Sequence, residues 1–343
     1  MNPRLPQLLA IVGLFALIIA LAPRAVVVAQ DSTGTTSRVS VSSAGMQANG
    51  RTDEKTAISA NGRYVAFVSE ASNLVTGDTN GVFDVFVHDQ QTGQTNRVSV
   101  SSNGAEGNYE SSDPTISADG RYVAFSSYST TFVSEDSDTS DVFIHDRHIG
   151  RTTLVPPPNG LQSGDESFQP VISANGRFVA FTSYGTGTQY GFADVFVHDR
   201  QTGQTSCVSI SSSGAQGNGM SFRPAISSDG RYVAFYSEAS TLVSGDTNAD
   251  SDIFVHDRQT GQTSRVSVSS AGAQGNGYSS DPSLSADGRF VAFWSWASNL
   301  VPGDTNVEND VFIHDRQTGI TSLISVDSTG AQGASSSYYP SIS

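Results

Sequence analysis

The apolar residues of this chain lie in short runs that are separated by Gly, Asn, Asp and Ser. In the last complete unit the runs are PSLS (282–285), RFVAFWS (289–295), DVFIHD (310–315) and TSLISV (321–326). The runs are four to seven residues long and rich in Val, Ile and Phe, and apolar positions after residue 30 show no helical spacing. The pattern therefore predicts four β-strands in this unit.

Tight turns connect these strands in pairs. Asp287-Gly288 separates the first two runs, and RQTG (316–319) separates the last two. Glycine accepts the positive φ angle of such turns without a steric penalty, so both pairs are predicted to be antiparallel hairpins. The other two connections are long, and antiparallel order places both at the same end of the strands. We call this end the loop face and the opposite end the turn face.

The same unit occurs five times. A His-Asp pair in the third strand recurs at intervals of 53 to 58 residues, and an Arg-aromatic-Val-Ala-Phe segment recurs with it. The five units span 56–100, 114–155, 170–210, 224–268 and 282–326. Four antiparallel strands per unit, repeated around an axis, predict an all-β fold, the β-propeller. Runs such as YVAF are apolar at every position, as expected for a blade that its neighbours cover on both faces.

Two further segments match single strands of the unit. TSRVSVSS (36–43) matches a fourth strand, and YYPSIS (338–343) matches a first strand. They predict a sixth blade that is split between the two ends of the propeller domain, residues 30–343, and that lacks its second and third strands. A truncated six-bladed design is the favoured interpretation. An open ring and a ring closed with five blades are the alternatives.

The repeat motifs resemble those of a known family. ISADGRYVAF (116–125) and HDRQTGQTSRVSV (256–268) are similar to the WD-like propeller repeat of TolB-type periplasmic proteins, with its Ser-x-Asp-Gly turn, aromatic-x-Ala-Phe strand and Asp-x-x-Thr-Gly turn. The resemblance implies a propeller fold and an interaction role in the periplasm or cell envelope. We expect no counterpart of the α/β domain of TolB, so it does not imply a role in the Tol-Pal system. Propellers serve both binding proteins and enzymes, so the fold leaves the activity open.

The first 29 residues differ from the rest of the chain. Arg4 precedes an unbroken apolar run, Leu8–Ala22, and small residues follow up to Ala29. This order is typical of a secretory signal peptide, with cleavage predicted after Ala29. A membrane anchor is the alternative, but fifteen apolar residues are fewer than the roughly 20 that a helix needs to span a bilayer. The protein is therefore predicted to be secreted or periplasmic, with no stable membrane span after cleavage.

The charge of the chain restricts its partners. Acidic residues outnumber basic ones by 33 to 18, the formal net charge is −15, and Lys55 is the single lysine. Such a surface repels nucleic acid, so the predicted partner is a protein or carbohydrate ligand of the cell envelope or exterior. Cys207 is the single cysteine, so the fold has no internal disulfide and must be held by packing.

One position changes its chemistry from unit to unit. It lies immediately before the first strand, where its side chain is predicted to face the mouth of the central channel on the loop face. Its six occupants are Lys55, Asp113, Gln169, Arg223, Asp281 and Tyr339. A ring of different groups could recognise an asymmetric ligand or a peptide, since binding residues concentrate on loops held by a rigid scaffold. Sequence drift at a solvated position is the alternative.

Aspartate and asparagine recur in the long connection between the second and third strands. DTNGVFD, DTNADSD and DTNVEND place them at the first, third and seventh positions, a spacing that resembles part of a calcium-binding loop. The nine residues are Asp78, Asn80, Asp84, Asp246, Asn248, Asp252, Asp304, Asn306 and Asp310. Calcium is the one cofactor that the sequence suggests. The alternative is that Asp and Asn cap turns through bonds to nearby backbone, because the terminal bidentate acid of the calcium motif is missing.

The histidine of each unit is predicted to be structural. It occupies the third strand, away from the channel, and equivalent positions of neighbouring blades are about 10 Å or more apart, too far to share one metal ion. These histidines are His88, His145, His198, His256 and His314. Each is expected to pack between blades and to bond a neighbouring backbone group or the adjacent Asp. His148 is expected at the surface.

The sequence contains no motif for serine-nucleophile, zinc-peptidase or phosphate-binding chemistry. The favoured function is an exported, non-catalytic propeller that binds a protein or another ligand through its loop face. One alternative is a secreted polysaccharide hydrolase or lyase that would use Asp113 and Asp281 as paired carboxylates. The other is a calcium-dependent carbohydrate-binding module.

Overall fold

The regular secondary structure of the described residues consists of β-strands. The computed structural model describes residues 36–134, 139–156, 165–184 and 191–343, and within them twenty strands form five four-stranded antiparallel sheets. Each sheet is one blade and follows the chain order of its strands, so the predicted all-β propeller is confirmed. The predicted signal peptide, residues 1–29, lies outside the described residues. In the described part of the chain, no helix has the length and hydropathy needed to cross a membrane.

Equivalent strands of the five blades have almost the same length. The first strands are β1 (Thr52–Ile58), β5 (Ser111–Ile116), β9 (Ser167–Ile172), β13 (Ser221–Ile226) and β17 (Ser279–Leu284). The second strands are β2 (Tyr64–Ser69), β6 (Tyr122–Ser127), β10 (Phe178–Ser183), β14 (Tyr232–Ser237) and β18 (Phe290–Ser295). The third strands are β3 (Asp84–Asp89), β7 (Asp141–Asp146), β11 (Asp194–Asp199), β15 (Asp252–Asp257) and β19 (Asp310–Asp315). The fourth strands are β4 (Gln94–Arg97), β8 (Arg151–Leu154), β12 (Gln204–Cys207), β16 (Gln262–Arg265) and β20 (Ile320–Leu323).

The first strand of each blade begins earlier than predicted because it contains a β-bulge. In blade 2 the pairing of β5 with β6 shifts between Ser112 and Thr115, and Asp113 and Pro114 lie in the shift. Proline has no N–H to donate to a neighbouring strand, so it fits a strand interior only where the ladder is interrupted. The variable position therefore lies inside the first strand and not before it, which corrects the predicted blade boundaries.

Neighbouring blades pack face to face through apolar side chains. Between blades 1 and 2, Ala66, Val85 and Val87 form one buried cluster with Val123 and Phe125. Equivalent clusters join blade 2 to blade 3, blade 3 to blade 4 and blade 4 to blade 5. The third strands of blades 1 to 4 are buried at all six positions, because both faces of these strands are covered. This covering explains the continuous apolar runs of the sequence.

The repeated histidine links its blade to the preceding part of the chain. His145 Nδ1 lies 2.9 Å from Thr152 Oγ1 on β8, and this hydroxyl donates to the carbonyl oxygen of Val100. Because the hydroxyl proton is already used, the histidine donates from Nδ1. Burial lowers the pKa of His145 to about 4, so the ring is neutral. The structural role is confirmed, but the predicted bonding partner was wrong: it is a threonine hydroxyl, because the adjacent Asp is held elsewhere.

An arginine holds that aspartate on the turn face of every blade. Arg121, beside β6, donates to both carboxylate oxygens of Asp146 at 3.0 and 2.7 Å. The same ion pair recurs in all five blades. The next residue, Arg147, lies 4.3 Å from the ring centroid of Tyr64 in blade 1, a cation–π contact between blades. His148 in the same turn is exposed, as predicted.

The two segments assigned to a sixth blade lie beside blades 5 and 1 without forming a four-stranded sheet. Ile342 N donates to a serine of blade 5 at 3.1 Å, and Val41 O accepts a hydrogen bond from Thr95 of blade 1. The blade 1 face on this side is partly uncovered. Ile58 is 60% exposed, whereas its equivalent in blade 2, Ile116, is 8% exposed.

Candidate functional site

The first strands of the five blades line one cavity of about 620 Å³. All six occupants of the variable position line it, namely Lys55, Asp113, Gln169, Arg223, Asp281 and Tyr339. We call these six residues the mouth ring. Five of them are followed by a proline that also lines the cavity, namely Pro114, Pro170, Pro224, Pro282 and Pro340. The structure thus brings together the side chains selected from the repeat, and their role in ligand binding stays a prediction.

The backbone of the mouth ring adopts an uncommon conformation. Five of its members have positive φ angles of 50 to 54°, and each of the five precedes a proline. An L-residue in this region costs about 1–2 kcal/mol, and only Asp or Asn accepts it readily. Gln169, Arg223 and Tyr339 therefore occupy positions where their own backbone preference is unfavourable. Lys55, which precedes Thr56, is not among the positive-φ residues. Backbone strain of this kind concentrates at functional sites.

Two ion pairs lie within the ring. Lys55 Nζ donates to Asp113 Oδ1, and Arg223 Nη1 donates to Asp281 Oδ1. Asp281 also accepts a hydrogen bond of 2.6 Å from Trp294 Nε1. The cationic side chains remain accessible, with Lys55 47% and Arg223 38% exposed. The aspartates are less accessible, with 20% of the Asp113 and 12% of the Asp281 side chain exposed, so the cations are the more accessible partners of the two pairs.

Uncharged side chains separate the two pairs. Gln169 Oε1 accepts a hydrogen bond of 3.2 Å from the backbone N–H of Arg223, and Tyr339 follows Asp281 around the ring. In chain order the mouth presents a cation, an anion, an amide, a second cation, a second anion and a phenol. This arrangement offers separate positions for carboxylate, amine and amide groups of a ligand.

Protein groups bridge the paired aspartates of these loops. In blade 1, Arg97 Nη1 lies 3.3 Å from Asp78 and 3.0 Å from Asp84, and its side chain is 7% exposed. Glu106 contacts the same nitrogen at 2.9 Å. In blade 4, Arg265 has the same relation to the two equivalent aspartates, Asp246 and Asp252, at 3.4 and 3.2 Å.

Blade 5 uses a different group for the same purpose. The arginine is replaced by Leu323, and Gln332 Nε2 donates to both Asp304 and Asp310 at 2.7 Å. In the described residues, no three acidic, histidine or cysteine side chains are placed to hold a metal ion. In these loops an arginine or an amide lies between the two aspartates. Calcium binding by these loops stays a prediction.

The asparagines of these loops join the two long connections in blades 1, 4 and 5. Their side-chain amides donate to glycine carbonyls of the second long connection at 2.9 to 3.0 Å, and their side-chain oxygens accept from the backbone N–H two residues on at 3.1 to 3.3 Å. These asparagines are Asn80, Asn248 and Asn306. The asparagines therefore cap turns, as the alternative prediction states. The aspartates instead form ion pairs or accept hydrogen bonds from side chains.

Blade 3 contains a buried carboxyl group that no arginine neutralises in the described structure. Asp194 is 1% exposed, and its Oδ1 accepts a hydrogen bond of 2.6 Å from Ser209. Cys207 occupies the position of Arg97. Burial raises the pKa of Asp194 to about 6, and burial and this carboxyl raise the pKa of the Cys207 thiol to about 12.

We expect Asp194→Asn to reduce the pH dependence of stability. A carboxyl group whose pKa is raised by folding stabilises the folded state below its unfolded pKa, and this contribution is lost as pH rises through about 6. Asparagine keeps an acceptor for Ser209 and carries no charge. Urea unfolding should show the variant more stable than the wild type by about 1–3 kcal/mol at pH 7, with a smaller difference near pH 4. Parallel pH profiles for the two proteins would contradict the assignment.

Comparison with known proteins identifies a common fold. No family model and no curated protein matches the sequence. Among solved structures, an oligogalacturonate lyase in complex with manganese has 12% identity and a TM-score of 0.51, over 78% of this chain and 64% of that chain. The putative TolB from Agrobacterium tumefaciens has 18% identity and a TM-score of 0.49, over 81% of each chain. TolB from Acinetobacter baumannii has 16% identity and a TM-score of 0.46.

The chain has a β-propeller fold. The propeller predicted from the repeat motifs is confirmed, TolB structures are among the similar solved structures, and identities below 20% show the fold alone. The chain spans 53% of the Acinetobacter baumannii TolB chain and 64% of the lyase chain.

Sequence reasoning missed the aromatic side chains beside the mouth ring of this propeller. Trp294 and Tyr338 lie with their ring centroids 5.2 Å apart, and Trp294 binds Asp281 of the ring. Both residues were assigned only as strand residues. The proline after five of the six ring positions was a usable signal for the bulge, because proline interrupts a strand ladder.

Proposed function

We propose that this protein is an exported, non-catalytic propeller that binds a segment of a protein partner in the mouth ring. The observation that supports the proposal is the convergence of six chemically different side chains on one cavity, within an otherwise uniform repeat. A catalytic site needs a free acid, base or nucleophile. In the mouth ring both carboxylates, Asp113 and Asp281, are held in ion pairs.

The proposed ligand is an extended peptide segment with both acidic and basic groups. Its acidic side chains would pair with Lys55 or Arg223. Its basic side chains would pair with Asp113 or Asp281, the acidic members of the two ion pairs. The rigid proline lining favours recognition without rearrangement of the scaffold. The proposal includes a secreted or periplasmic location, which Arg4 and the apolar run Leu8–Ala22 support.

A polysaccharide hydrolase or lyase is less well supported. The shared fold with an oligogalacturonate lyase extends only to the propeller, since 12% identity does not transfer an active site. The paired carboxylates that such an enzyme would use, Asp113 and Asp281, are each bound to a cation.

Peptide selection tests the proposal. A random peptide library is selected on the wild-type protein, and the selected peptides are then measured on three proteins: wild type, the Lys55→Gln/Arg223→Gln variant and the turn-face control His148→Ala. We expect the double variant to bind at least about tenfold more weakly, a loss of about 1.4 kcal/mol, and the control to bind like the wild type. Peptides that bind all three proteins equally would place the site elsewhere.

A further inference from the structure

Five aromatic side chains form a continuous patch on the loop face of blade 5. The centroid of Tyr278 lies 5.2 Å from Trp294 and 5.9 Å from Trp296, and Tyr338 lies 5.2 Å from Trp294 and 6.1 Å from Tyr339. We call these five residues the aromatic patch. Three of them are open to solvent, with Trp296 55%, Tyr338 47% and Tyr339 69% exposed. Exposed aromatic clusters of this kind mark interaction surfaces.

Hydrogen bonds fix the orientation of these rings. Trp296 Nε1 donates to the carbonyl of Val307 at 3.0 Å, Trp294 Nε1 donates to Asp281 at 2.6 Å, and Tyr338 Oη accepts from Asn309 at 2.9 Å. The polar edges of the two indoles are therefore used inside the protein. The surface that the indoles leave for a ligand is therefore ring carbon, held rigid in advance of binding.

Carboxylates flank the patch. Asp281 contacts Trp294 directly, and Glu308 follows Val307, the residue to which Trp296 is bonded. A hydrogen bond of 2.6 Å from Ser336 holds the Glu308 carboxylate in place. Asp281 is paired with Arg223, so the net negative charge beside the patch comes from Glu308. The formal net charge of −15 adds an attractive field for cations over the whole surface.

We propose that the aromatic patch binds the lysine or arginine side chains of a basic segment of the partner. This inference rests on the proposed function and names the chemistry of the ligand next to the mouth ring. A cation is attracted to the face of an aromatic ring, and more strongly to an indole than to the other rings. Rigid aromatic rings together with the Glu308 carboxylate fit a cationic group better than a neutral or an acidic one.

Tryptophan fluorescence tests the proposal directly, because the chain contains two tryptophans and both lie in the patch. The probe is an alternating glycine-arginine peptide, and its matched control carries citrulline, which has a similar shape and no charge. We expect the arginine peptide to change the emission saturably, with an affinity that falls as salt is raised. Citrulline binding of equal strength would overturn the proposal and indicate packing without charge recognition.

Three variants localise the binding. Trp296→Ala and Glu308→Gln should each weaken the arginine peptide, the former by at least about tenfold. Tyr109→Ala removes an aromatic residue of similar exposure, 55%, from blade 2 and should leave the affinity unchanged. If Trp296→Ala and Tyr109→Ala both bind like the wild type, the patch is not the site.

The Lys55→Gln/Arg223→Gln variant separates this proposal from the proposed function. It keeps the aromatic patch and should still bind the arginine peptide. If it does so while library-selected peptides bind it as well as they bind the wild type, the mouth-ring proposal fails and the patch remains. If the arginine peptide fails to bind wild type while selected peptides depend on the mouth ring, the patch proposal alone fails.

Discussion

Gly120→Ala will lower the free energy of unfolding by about 3–4 kcal/mol, whereas Gly62→Ala will lower it by about 1–2 kcal/mol. Both glycines occupy the same hairpin turn of successive blades with a φ angle of +72°. A Cβ atom on Gly120 would come within 2.1 Å of the Tyr64 ring, while a Cβ on Gly62 would meet nothing within 4 Å. Both substitutions place alanine at the same unfavourable φ angle. The difference between the two losses of unfolding free energy therefore measures the clash between blades.

Urea unfolding of the two variants and the wild type provides the measurement. Gly62→Ala is the matched control, because its turn lies on the partly uncovered side of blade 1. Equal destabilisation by the two substitutions would show that the turn of blade 2 does not pack on Tyr64. A larger effect in blade 2 would support close packing of successive blades at the turn face.

Arg97→Leu will destabilise the protein by about 3 kcal/mol at pH 7, because it leaves two buried carboxylates without their cation. Asp84 is fully buried and Asp78 has a 5% exposed side chain. Leucine is the residue that blade 5 carries at the equivalent position, Leu323, so it fits the backbone there. Burial already raises the pKa of Asp78 to about 6 in the presence of Arg97.

A second substitution should restore part of the loss. In blade 5 an amide replaces the arginine, since Gln332 donates to both aspartates. Adding Glu106→Gln to Arg97→Leu therefore gives blade 1 the same set of groups, and we expect a recovery of about 1–2 kcal/mol. The cost of Arg97→Leu should also shrink as pH falls, because protonation removes the unpaired charge of Asp78, whose pKa is raised to about 6 even with Arg97 in place. A pH-independent loss with no recovery would mean that Arg97 acts through packing alone.

The mouth ring could be identified from the sequence because equivalent positions of the repeated units can be compared with one another. Gln169 and Arg223 occupy equivalent positions in units that are otherwise uniform, and a difference at one position is visible without structural information. Their place inside a bulged strand was not predicted, because the boundary of a strand depends on which backbone groups find a partner across the sheet. The aromatic patch was missed, because Trp294 and Tyr338 are 44 positions apart and only packing brings their rings together.

The sequence by itself determined the number of complete blades, the four strands of each blade, the hairpin turns and the identity of the mouth ring. These features follow from local preferences, the positive φ of glycine turns and the apolar runs of covered strands, which act within a few residues. Only the tertiary structure decided that His145 bonds a threonine, that Arg97 lies between two aspartates and that Gly120 faces Tyr64. The sequence offers several possible partners for each of these residues. The packing of one sheet against the next decides which of them lies within contact distance.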